Sequence, residues 1–563
     1  MAATTTTTKM SSLPLLLILL VISSILVEAE LDSNMTLKVL LEVKKSFLED
    51  PTSETAFHGW SESNPKFCTW RGVTCGSDSV GDSLQVTGLN LSDSSLGGSI
   101  SPQLGSLKYL LHLDLSSNGL KGPIPPALSN LSSLESLLLF SNQLGGPIPS
   151  ELGSLTSLRV MRIGDNELTG SIPASFGNLV NLVTLGLASC GLSGPIPSQL
   201  GQLVQLENLI LQLNQLDGSI PAELGNCTSL TVFTAAQNKL NGSIPRELGQ
   251  LTNLQLLNLV NNSLSGEIPS QLGGMSQLEY LNLMGNQLEG AIPKSLAQLG
   301  NLQNLDLSVN KLTVGIPEEL GNMSQLVYLV LSNNNLSGVV PKTICSNATR
   351  LEHLIISDAQ IFGEIPAELS QCQSLKQLDL SNNSMNGSIP LELYSLVELT
   401  DLLLHNNSLV GSISPRVGNL SNLQSLVMYH NNLQGPLPKE IGMLGRLEIL
   451  KSPTPFPSPL PTTQSAISSP PHRSSMATSF AQQKSVICSQ SKEEESQRLV
   501  PRQLFHPWMT RSWDLSYLVR LVPEFPSLQS SSQPPRNELP PPLLKVNFSL
   551  PAFEVLEESD PFA

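Results

Sequence analysis

A 24-residue pattern of apolar and polar positions runs through the middle of the chain. The unit LxxLxLxxNxLxGxIPxxLGxL recurs, and its asparagine position falls fifteen times between residues 94 and 431. Successive positions lie 24 residues apart, except for one step of 25 residues into Ala359. Leucines at this spacing can be buried only against the neighbouring units. The pattern therefore predicts a solenoid of about fifteen repeats over residues 84–450.

Each part of the unit predicts one part of a turn. LxxLxL predicts a short strand with inward leucines, and the asparagine amide can satisfy backbone groups where the chain leaves that strand. The glycine of LxG permits a positive φ, and Ile-Pro suits an extended outer segment. LGxLxxL is too short for an α-helix and predicts a 3₁₀ or single helical turn. The expected fold is a right-handed α/β leucine-rich-repeat solenoid, with short parallel strands on the concave face and 3₁₀ turns on the convex face.

Three repeats lack the asparagine. Ser94 begins the series, Cys190 can donate only weakly through its thiol, and the side chain of Ala359 cannot form a hydrogen bond. Ala359 also follows the one-residue insertion, which lies within residues 345–348. We expect a local irregularity at that turn.

Cys345 and Cys372 occupy nearby convex positions of the turns on either side of this irregularity. A disulfide between them would pin the irregular turn, and the alternative is a pair of free buried thiols. Cys227 has the same position in its own repeat as Cys372 and is interpreted as a core residue.

The first 29 residues have the features of a secretory signal peptide. Lys9 precedes an apolar run over residues 13–27, and Val27 and Ala29 suit a cleavage site with a mature start at Glu30. The alternative is a membrane anchor, but the run falls short of the ~20 residues that span a bilayer. No other stretch is long and apolar enough, so we expect an exported, soluble chain without a membrane span.

Residues 30–83 do not follow the repeat and predict an N-terminal cap for the open core of the first turn. Residues 37–47 predict an amphipathic helix. Trp60 and Trp70 accompany Cys68 and Cys75, for which we predict a disulfide. The alternative, a reactive cysteine, lacks a nearby histidine or helix start.

The repeat stops inside a predicted strand. Leu447 and Leu450 arrive in register, but residues 451–563 then contain 18 prolines, 20 serines and no glycine. This composition predicts a mostly disordered tail, with a transient helix as one interpretation of residues 508–522. A shifted reading frame, a retained intron or a misassigned exon would explain the change, and a genuine Pro/Ser-rich tail that interacts with the cell wall is the rival. We expect fraying near residues 425–450, or association through that end, because leucines of an uncapped turn contact water.

The motifs resemble one family. The cap sequence C-T-W-x-G-V-x-C over residues 68–75, the LxGxIP repeats and the phrases at residues 186–192, 231–236 and 372–381 are similar to ectodomains of plant leucine-rich-repeat receptor-like kinases, the GASSHO group in particular. The resemblance covers about residues 1–450. It implies further repeats, a C-terminal cap, one membrane span and a cytoplasmic Ser/Thr kinase. It also implies a small tyrosine-sulfated peptide ligand, a shorter co-receptor kinase and a role in the root endodermal barrier and embryonic cuticle.

Composition and motifs exclude several other classes. A net charge of −16 with 13% charged residues argues against nucleic-acid or anionic-membrane binding. The seven cysteines form no CxxC pair and no Cys/His set with zinc spacing, so we expect no metal and no cofactor. The kinase motifs are missing, and Asp114, Asp306 and Asp379 fill one lane but lie far apart along the arc. We therefore expect no enzyme activity from this chain.

The variable positions of LxLxxN would project from the concave face, where solenoids usually bind partners. Most are small or polar, and scattered surface hydrophobes are the alternative to a peptide-binding groove. The large or apolar candidates for peptide contact are Leu138, Phe140, Ile210, Leu213, Tyr280, Met284, Tyr328, Val330, Leu403, Val427 and Tyr429.

Basic residues and histidines of this face have two interpretations each. Arg162 is predicted to be the only basic side chain of the central LxL lane and lies near Phe140, so it could hold a sulfate, although Asp165 could simply neutralise it. His405 and His430 lie on nearby concave positions, but two histidines without a third ligand are weak evidence for a metal, and we interpret them as surface residues.

Fourteen N-x-S/T sequons accompany the predicted signal peptide, so we expect several N-glycans. Asn90 would project from a concave strand and is not expected to carry one, and Asn547 lies in the tail. The expected sites are Asn34, Asn130, Asn226, Asn241, Asn261, Asn322, Asn335, Asn347, Asn382, Asn386, Asn406 and Asn419.

The leading interpretation is an exported, glycosylated ligand-binding module that resembles a peptide-receptor ectodomain without its kinase. One alternative is a fragment of a full plasma-membrane receptor kinase. Another is a secreted wall protein that inhibits pathogen enzymes, like polygalacturonase-inhibiting proteins, although those are shorter and end in a Cys-rich cap.

Overall fold

A computed structural model describes residues 33–48, 55–77 and 84–452 of the chain. The predicted signal peptide, residues 508–522, Asn547 and the rest of the Pro/Ser-rich tail lie outside the described residues. None of the helices in the described part of the chain has the length and apolar character needed to cross a membrane.

The described repeats form the predicted solenoid, whose concave face is one continuous sheet. The first two strands pair antiparallel, and every later strand pairs in parallel with the strand of the preceding turn. Strands β1–β17 are Val73–Ser77, Leu84–Asn90, His112–Asp114, Ser136–Leu138, Val160–Arg162, Thr184–Gly186, Asn208–Ile210, Val232–Thr234, Leu256–Asn258, Tyr280–Asn282, Asn304–Asp306, Tyr328–Val330, His353–Ile355, Gln377–Asp379, Asp401–Leu403, Ser425–Val427 and Ile449–Lys451.

A second set of short strands follows the asparagine turn of most repeats, where LxGxIP predicted extended chain. The glycine of LxG has a positive φ in most repeats, for example +75° at Gly122, as the sequence predicted. These outer strands are Lys121–Gly122, Gln143–Pro147, Glu167–Gly170, Gly191–Pro195, Gln215–Asp217, Asn241–Gly242, Ser263–Glu267, Gln287–Ala291, Lys311–Thr313, Phe362–Glu364, Ser384–Asn386, Val410–Gly411 and Asn432–Leu433.

The convex side consists of five-residue 3₁₀ helices that mostly begin after the proline of Ile-Pro, which confirms the prediction for LGxLxxL. They are Pro102–Ser106, Pro126–Asn130, Ser150–Ser154, Ala174–Asn178, Ser198–Gln202, Ala222–Asn226, Arg246–Gln250, Ser270–Gly274, Lys294–Gln298, Glu318–Asn322, Ala367–Gln371, Leu391–Ser395, Pro415–Asn419 and Lys439–Met443. The leucines of strands and 3₁₀ helices share one core that runs the length of the repeats.

An N-terminal cap closes the first turn, as predicted. Helix α1 spans residues 33–47 and buries an apolar face, whereas residues 55–57 and Phe67–Thr69 form 3₁₀ turns. The rings of Trp60 and Trp70 lie 5.0 Å apart and are both buried. The end of α1 meets the first repeat at Gly98, where φ is +72° and a Cβ atom would lie 2.0 Å from the carbonyl oxygen of Ser46. Only glycine fits this contact.

The asparagine side chains form the internal ladder that the sequence predicted. Asn166 donates from Nδ2 to the carbonyl oxygens of Leu139, Ile163 and Gly164, and its Oδ1 accepts the backbone N–H of Leu144. One side chain thereby ties its own turn to the previous one. The residue before each asparagine has a positive φ, so the ladder coincides with a left-handed turn in every repeat.

The expected irregularity is present and is wider than a single turn. No outer strand forms between Thr313 and Phe362, and a non-helical turn over residues 342–345 replaces the convex 3₁₀ helix. Ala359 offers no side-chain acceptor, and its backbone oxygen accepts the N–H of Leu336 at 3.1 Å instead. Val314 occupies the usual glycine position with φ +75°, which a β-branched residue rarely adopts.

Two disulfides are present in the described residues. Cys68 and Cys75 are joined at an S–S distance of 2.00 Å within the cap, and Cys345 and Cys372 at 2.15 Å across the irregular turn. The second pair holds together the two repeats between which the register changes by one residue.

The last described turn is less buried than those before it. Leu447 and Leu450 are only partly buried, whereas their counterparts Leu423 and Leu426 are fully buried. Strand β17 nevertheless forms over Ile449–Lys451, so the strand in which the leucine pattern stops is complete. Fraying of residues 425–450 stays a prediction.

Candidate functional site

The register of the concave sheet fixes which side chains are neighbours across turns. The residue between the two leucines of LxL forms a central lane, in which Leu138, Arg162, Gly186, Ile210 and Thr234 follow one another from strand to strand. The residue two positions later in each repeat forms a second lane beside it, because side chains on one face of a strand alternate. Residues 24 apart in sequence therefore build one surface.

Arg162 and Phe140 are in contact. The guanidinium carbon of Arg162 lies 4.5 Å from the centre of the Phe140 ring, which is the geometry of a cation–π contact. Burial lowers the pKa of Arg162, and Asp165 and Asp114 oppose this shift only in part. Among the described residues no carboxylate forms an ion pair with Arg162. The guanidinium is thus partly desolvated and keeps its donors available.

Small side chains lie beside Arg162 on the concave face, and we call this stretch the recess, defined by Gly164, Gly186, Ala188, Thr234 and Ala236. These small residues lie between the larger side chains of the neighbouring strands, and Thr234 is only 1% exposed although it faces the concave side. The recess exists because glycine and alanine stand where other repeats have larger residues.

Three buried polar atoms line or flank this recess without a hydrogen-bond partner in the described chain. They are Oδ1 of Asn208, Oε1 of Gln212 and Oγ1 of Thr234. Asn208 donates from Nδ2 to Oγ1 of Thr184 at 3.2 Å, which orients its side chain but does not satisfy its oxygen. The sequence pattern pointed to Ile210 and Leu213 here but not to Asn208, Gln212 or Thr234.

Leu213 differs from the other candidates. It precedes the ladder residue Asn214, its φ is +59° and it is 45% exposed, so it lies beside the turn and not in the central lane. Ile210, by contrast, is half-buried in the central lane.

Tyr328 and Val330 lie on strand β12, and Tyr328 stacks on His353 of the next strand. Their ring centres are 4.4 Å apart and the planes differ by 4°. Nδ1 of His353 lies 3.1 Å from Oε1 of Gln377, and burial lowers the pKa of His353. The 25-residue spacing between Tyr328 and His353 is the signal that would have included His353 among the candidates.

A third cluster lies near the end of the described repeats. Tyr429 stacks on His405 at 4.8 Å, and Nζ of Lys451 lies 5.9 Å from the Tyr429 ring. Leu403 is half-buried, whereas Val427 is only 8% exposed and offers little contact area. Because β17 forms, Lys451 extends the central lane, and Arg162 is not its only basic residue.

Tyr280 and Met284 belong to a polar network in the middle of the face. Nδ2 of Asn282 donates to the hydroxyl oxygen of Tyr280 at 3.1 Å and lies 3.5 Å from Oδ2 of Asp306. Asp306 is 5% exposed and accepts from the backbone N–H and the hydroxyl of Ser308. Burial raises the pKa of Asp306, and the bonds from Ser308 oppose the shift.

Asp306 should make the stability of the solenoid depend on pH. Its pKa is higher in the folded chain than in the unfolded chain, so its contribution to stability is complete below pH 4 and is lost as the pH rises through the folded pKa. We expect the stability of the wild type, relative to the Asp306→Asn variant, to fall over that range in urea unfolding. Asn90 already makes the same bonds to Ser92, so the variant should fold.

A Ser308→Ala variant provides the companion measurement for Asp306. It removes a hydroxyl whose hydrogen bond favours the ionised carboxylate of Asp306, so the pKa of Asp306 should rise further. The loss of stability should then occur at higher pH. If the free energies of unfolding of the wild type and of Asp306→Asn differ by the same amount at every pH between 4 and 8, this account is wrong.

The sequons lie at the surface in three groups. Asn130, Asn226, Asn322 and Asn419 end convex 3₁₀ helices, and Asn241 and Asn386 lie on outer strands. Asn34 is exposed on α1, Asn347 is exposed at the irregular turn, and Asn261 and Asn335 are exposed near the asparagine turns. Nδ2 of Asn382 donates to Asp358 and Nδ2 of Asn406 donates to Oδ1 of Asn382, so both amides are already hydrogen-bonded.

The remaining candidate groups are the free cysteines and His430. In the part of the chain that the structure describes, no three His, Cys, Asp or Glu side chains converge in the way a metal ion requires. Burial raises the pKa of Cys227 to about 11 and also raises the pKa of Cys190. Nδ1 of His430 lies 2.7 Å from Oδ1 of Asn406 on the surface.

Family models match the repeats and the cap. The leucine rich repeat N-terminal domain matches residues 33–76. Leucine rich repeat models match residues 252–312 and 276–336, and also 109–131, 133–155, 157–179, 181–203, 374–396 and 422–444.

Solved structures and curated sequences identify the family. The ectodomain of the plant membrane receptor kinase GASSHO1/SCHENGEN3 from Arabidopsis thaliana, solved with CASPARIAN STRIP INTEGRITY FACTOR 2, is 65% identical with a TM-score of 0.69 over 72% of this chain and 48% of that chain. The peptide hormone receptor RGFR1, solved with RGF2, is 37% identical with a TM-score of 0.63 over 69% of this chain and 68% of that chain. The chain belongs to the plant leucine-rich-repeat receptor kinase family.

Within this receptor kinase family the chain is similar to the GASSHO receptors. The receptor-like serine/threonine-protein kinase GSO2 of Arabidopsis thaliana is 57% identical over 76 residues, which are 14% of this chain and 6% of that protein. The chain spans about half of the GASSHO1 ectodomain. All of these matches concern the repeat ectodomain.

Proposed function

We propose that the described repeats form the ligand-binding part of an extracellular peptide receptor, and that this part performs no catalysis. The observation that carries the proposal is Arg162 stacked on Phe140 on the concave face, beside the small residues of the recess. An extended peptide has alternating side chains, so it can lie across the concave strands and place one side chain against this pair. The ligand is a secreted peptide.

The guanidinium of Arg162 supports the sulfated class of peptide. A sulfotyrosine ends in an anion that accepts charge-assisted hydrogen bonds, and its aromatic ring can pack against an apolar wall. Arg162 is partly desolvated and lies against Phe140, so both features meet at one place. The solved GASSHO1 and RGFR1 structures contain peptide factors, which supports the peptide class for their relative.

The test compares peptides with and without sulfate. Arg162→Glu is expected to weaken binding of an extended peptide with one sulfotyrosine about 10–100-fold, since hydrogen bonds to charged groups contribute ~1.5–3 kcal/mol. Binding of the unsulfated peptide should change little. Calorimetric titration of the secreted full chain measures both affinities.

Arg159→Glu is the matched control, because Arg159 is exposed and precedes the strand. Equal affinities of the wild type and Arg162→Glu for the sulfated peptide would exclude the sulfate site. If no extended peptide binds, the receptor proposal itself fails, and binding to a polygalacturonase instead would support the inhibitor alternative.

Signalling involves more than the described repeats. Membership of the receptor kinase family suggests a longer plasma-membrane protein with a kinase and a co-receptor ectodomain as a second partner. A full-length transcript read tests the first suggestion. A pull-down of co-receptor ectodomains in the presence and absence of peptide tests the second, and peptide-dependent capture is the supporting result.

A further inference from the structure

The interrupted outer layer leaves an unusual patch on the side of the solenoid. Between Thr313 and Phe362 no outer strand pairs with its neighbours. Val314, Val339 and Phe362 are 74%, 50% and 50% exposed. The backbone N–H groups of Asn335 and Phe362 still donate to Leu312 and Gly338, so the chain stays tied to its neighbours. Single exposed hydrophobes are normal, but three at one gap in the outer strands form a patch that a covering group would shield.

A polar hollow of about 700 Å³ opens at the same place. Phe362 lines it together with amide and carboxylate side chains, namely Asn333, Asn334, Asn335, Asp358, Gln360, Asn382 and Asn383, and with Ser384. One exposed aromatic ring among many amide donors and acceptors suits a sugar, which has an apolar C–H face and a rim of hydroxyl and acetamido groups.

Asn335 lies in this hollow and begins the sequon Asn335-Leu336-Ser337. It is exposed, and its Oδ1 accepts from Nε2 of Gln360 at 3.0 Å, which fixes the amide in the hollow. The other sequon asparagine that lines the hollow, Asn382, has its Nδ2 engaged with Asp358 at 2.9 Å.

We propose that an N-glycan on Asn335 occupies this hollow and that its first sugars pack on the ring of Phe362. The proposal rests on export of the chain, which belongs to the proposed function. A lipid-linked oligosaccharide pyrophosphate supplies the sugar during export. Nδ2 of Asn335 forms a bond to C1 of the sugar and loses a proton, and the lipid pyrophosphate leaves. On folding, the glycan covers the exposed apolar side chains at the gap in the outer strands.

Site-specific glycopeptide mass spectrometry and a double-mutant cycle test whether a glycan on Asn335 occupies the hollow. The full chain is expressed in secretory cells that make uniform oligomannose glycans, as the wild type, Asn335→Gln, Phe362→Ala and the double variant. Asn335 should carry a glycan. Each single variant should lower the melting temperature by about 1–2 °C, and the double variant should lower it no further, because both remove one contact.

Asn226→Gln is the matched control, since Asn226 ends a convex 3₁₀ helix. Its effect should add to that of Phe362→Ala. If Asn335 is unmodified while Asn226 carries a glycan, or if the effects of Asn335→Gln and Phe362→Ala are additive, the proposal that a glycan occupies the hollow is wrong. Neither outcome bears on the proposed peptide binding. A chain without glycans at any sequon overturns export as well.

Discussion

Replacing Asn334 by alanine is expected to lower the free energy of unfolding by about 3–5 kcal/mol, because buried polar groups left without partners cost ~1–3 kcal/mol each. Asn334 is 4% exposed, donates to the carbonyl oxygens of Leu307, Leu331 and Ser332, and accepts the N–H of Leu312. Urea unfolding measures the loss. Hydrogen exchange of the Leu312 amide should report it locally.

Cys190→Asn is the reverse experiment. The thiol of Cys190 lies 3.6 Å from the carbonyl oxygen of Ala188 and 4.0 Å from that of Ile163, so it replaces the amide poorly. We expect Cys190→Asn to stabilise the chain by ~1 kcal/mol.

A loss below 1 kcal/mol for Asn334→Ala would show that the ladder is not a main source of stability.

Removing the disulfide across the irregular turn should have an effect of similar size. Cys345 and Cys372 are 27 residues apart, and loop closure of that length predicts a loss of about 3–4 kcal/mol for the double alanine variant. The seven-residue separation of Cys68 and Cys75 predicts only about 2–3 kcal/mol. Unfolding of each double variant against the wild type measures both losses.

Hydrogen exchange tells where the loss occurs. In the variant of Cys345 and Cys372, protection should fall first over residues 336–345, which have neither an outer strand nor a 3₁₀ helix. The variant of Cys68 and Cys75 should lose protection in the cap. Uniform loss along the solenoid in both cases would contradict a local role for these bonds.

The departure from the asparagine lane at Ala359 shows how far the pattern could be read. Ala359 correctly indicated a disturbed turn, since its side chain has no polar atom. The extent of the disturbance depends on Val314 at a glycine position and on the backbone bond from Leu336, and neither follows from the leucine spacing. The consequence, a hollow that Phe362 and Asn335 both line, appears only when successive turns are stacked.

The residues of the candidate site also fall into those that the repeat pattern predicted and those that it did not. The repeat identified the central lane, and with it Arg162 beside Phe140, because residues 24 apart must be neighbours in a regular solenoid. It did not identify Asn208, Gln212 and Thr234, since small or polar residues look alike in sequence whether they face open solvent or line a recess. It also omitted His353 and Lys451, which become relevant only through their contacts with Tyr328 and Tyr429.

The sequence by itself determined the solenoid, its concave strands, its convex 3₁₀ turns, the asparagine ladder and the cap. The features of the repeats depend on contacts between residues at a fixed spacing, so periodicity is sufficient to specify them. The cap was instead predicted from the helical pattern of residues 37–47 and from the tryptophans and cysteines that follow it. Only the tertiary structure decided which concave polar atoms are buried without partners, how wide the irregularity is and which asparagine lies against an exposed ring. Those properties depend on the size of neighbouring side chains and on small backbone shifts, which a repeat pattern does not encode.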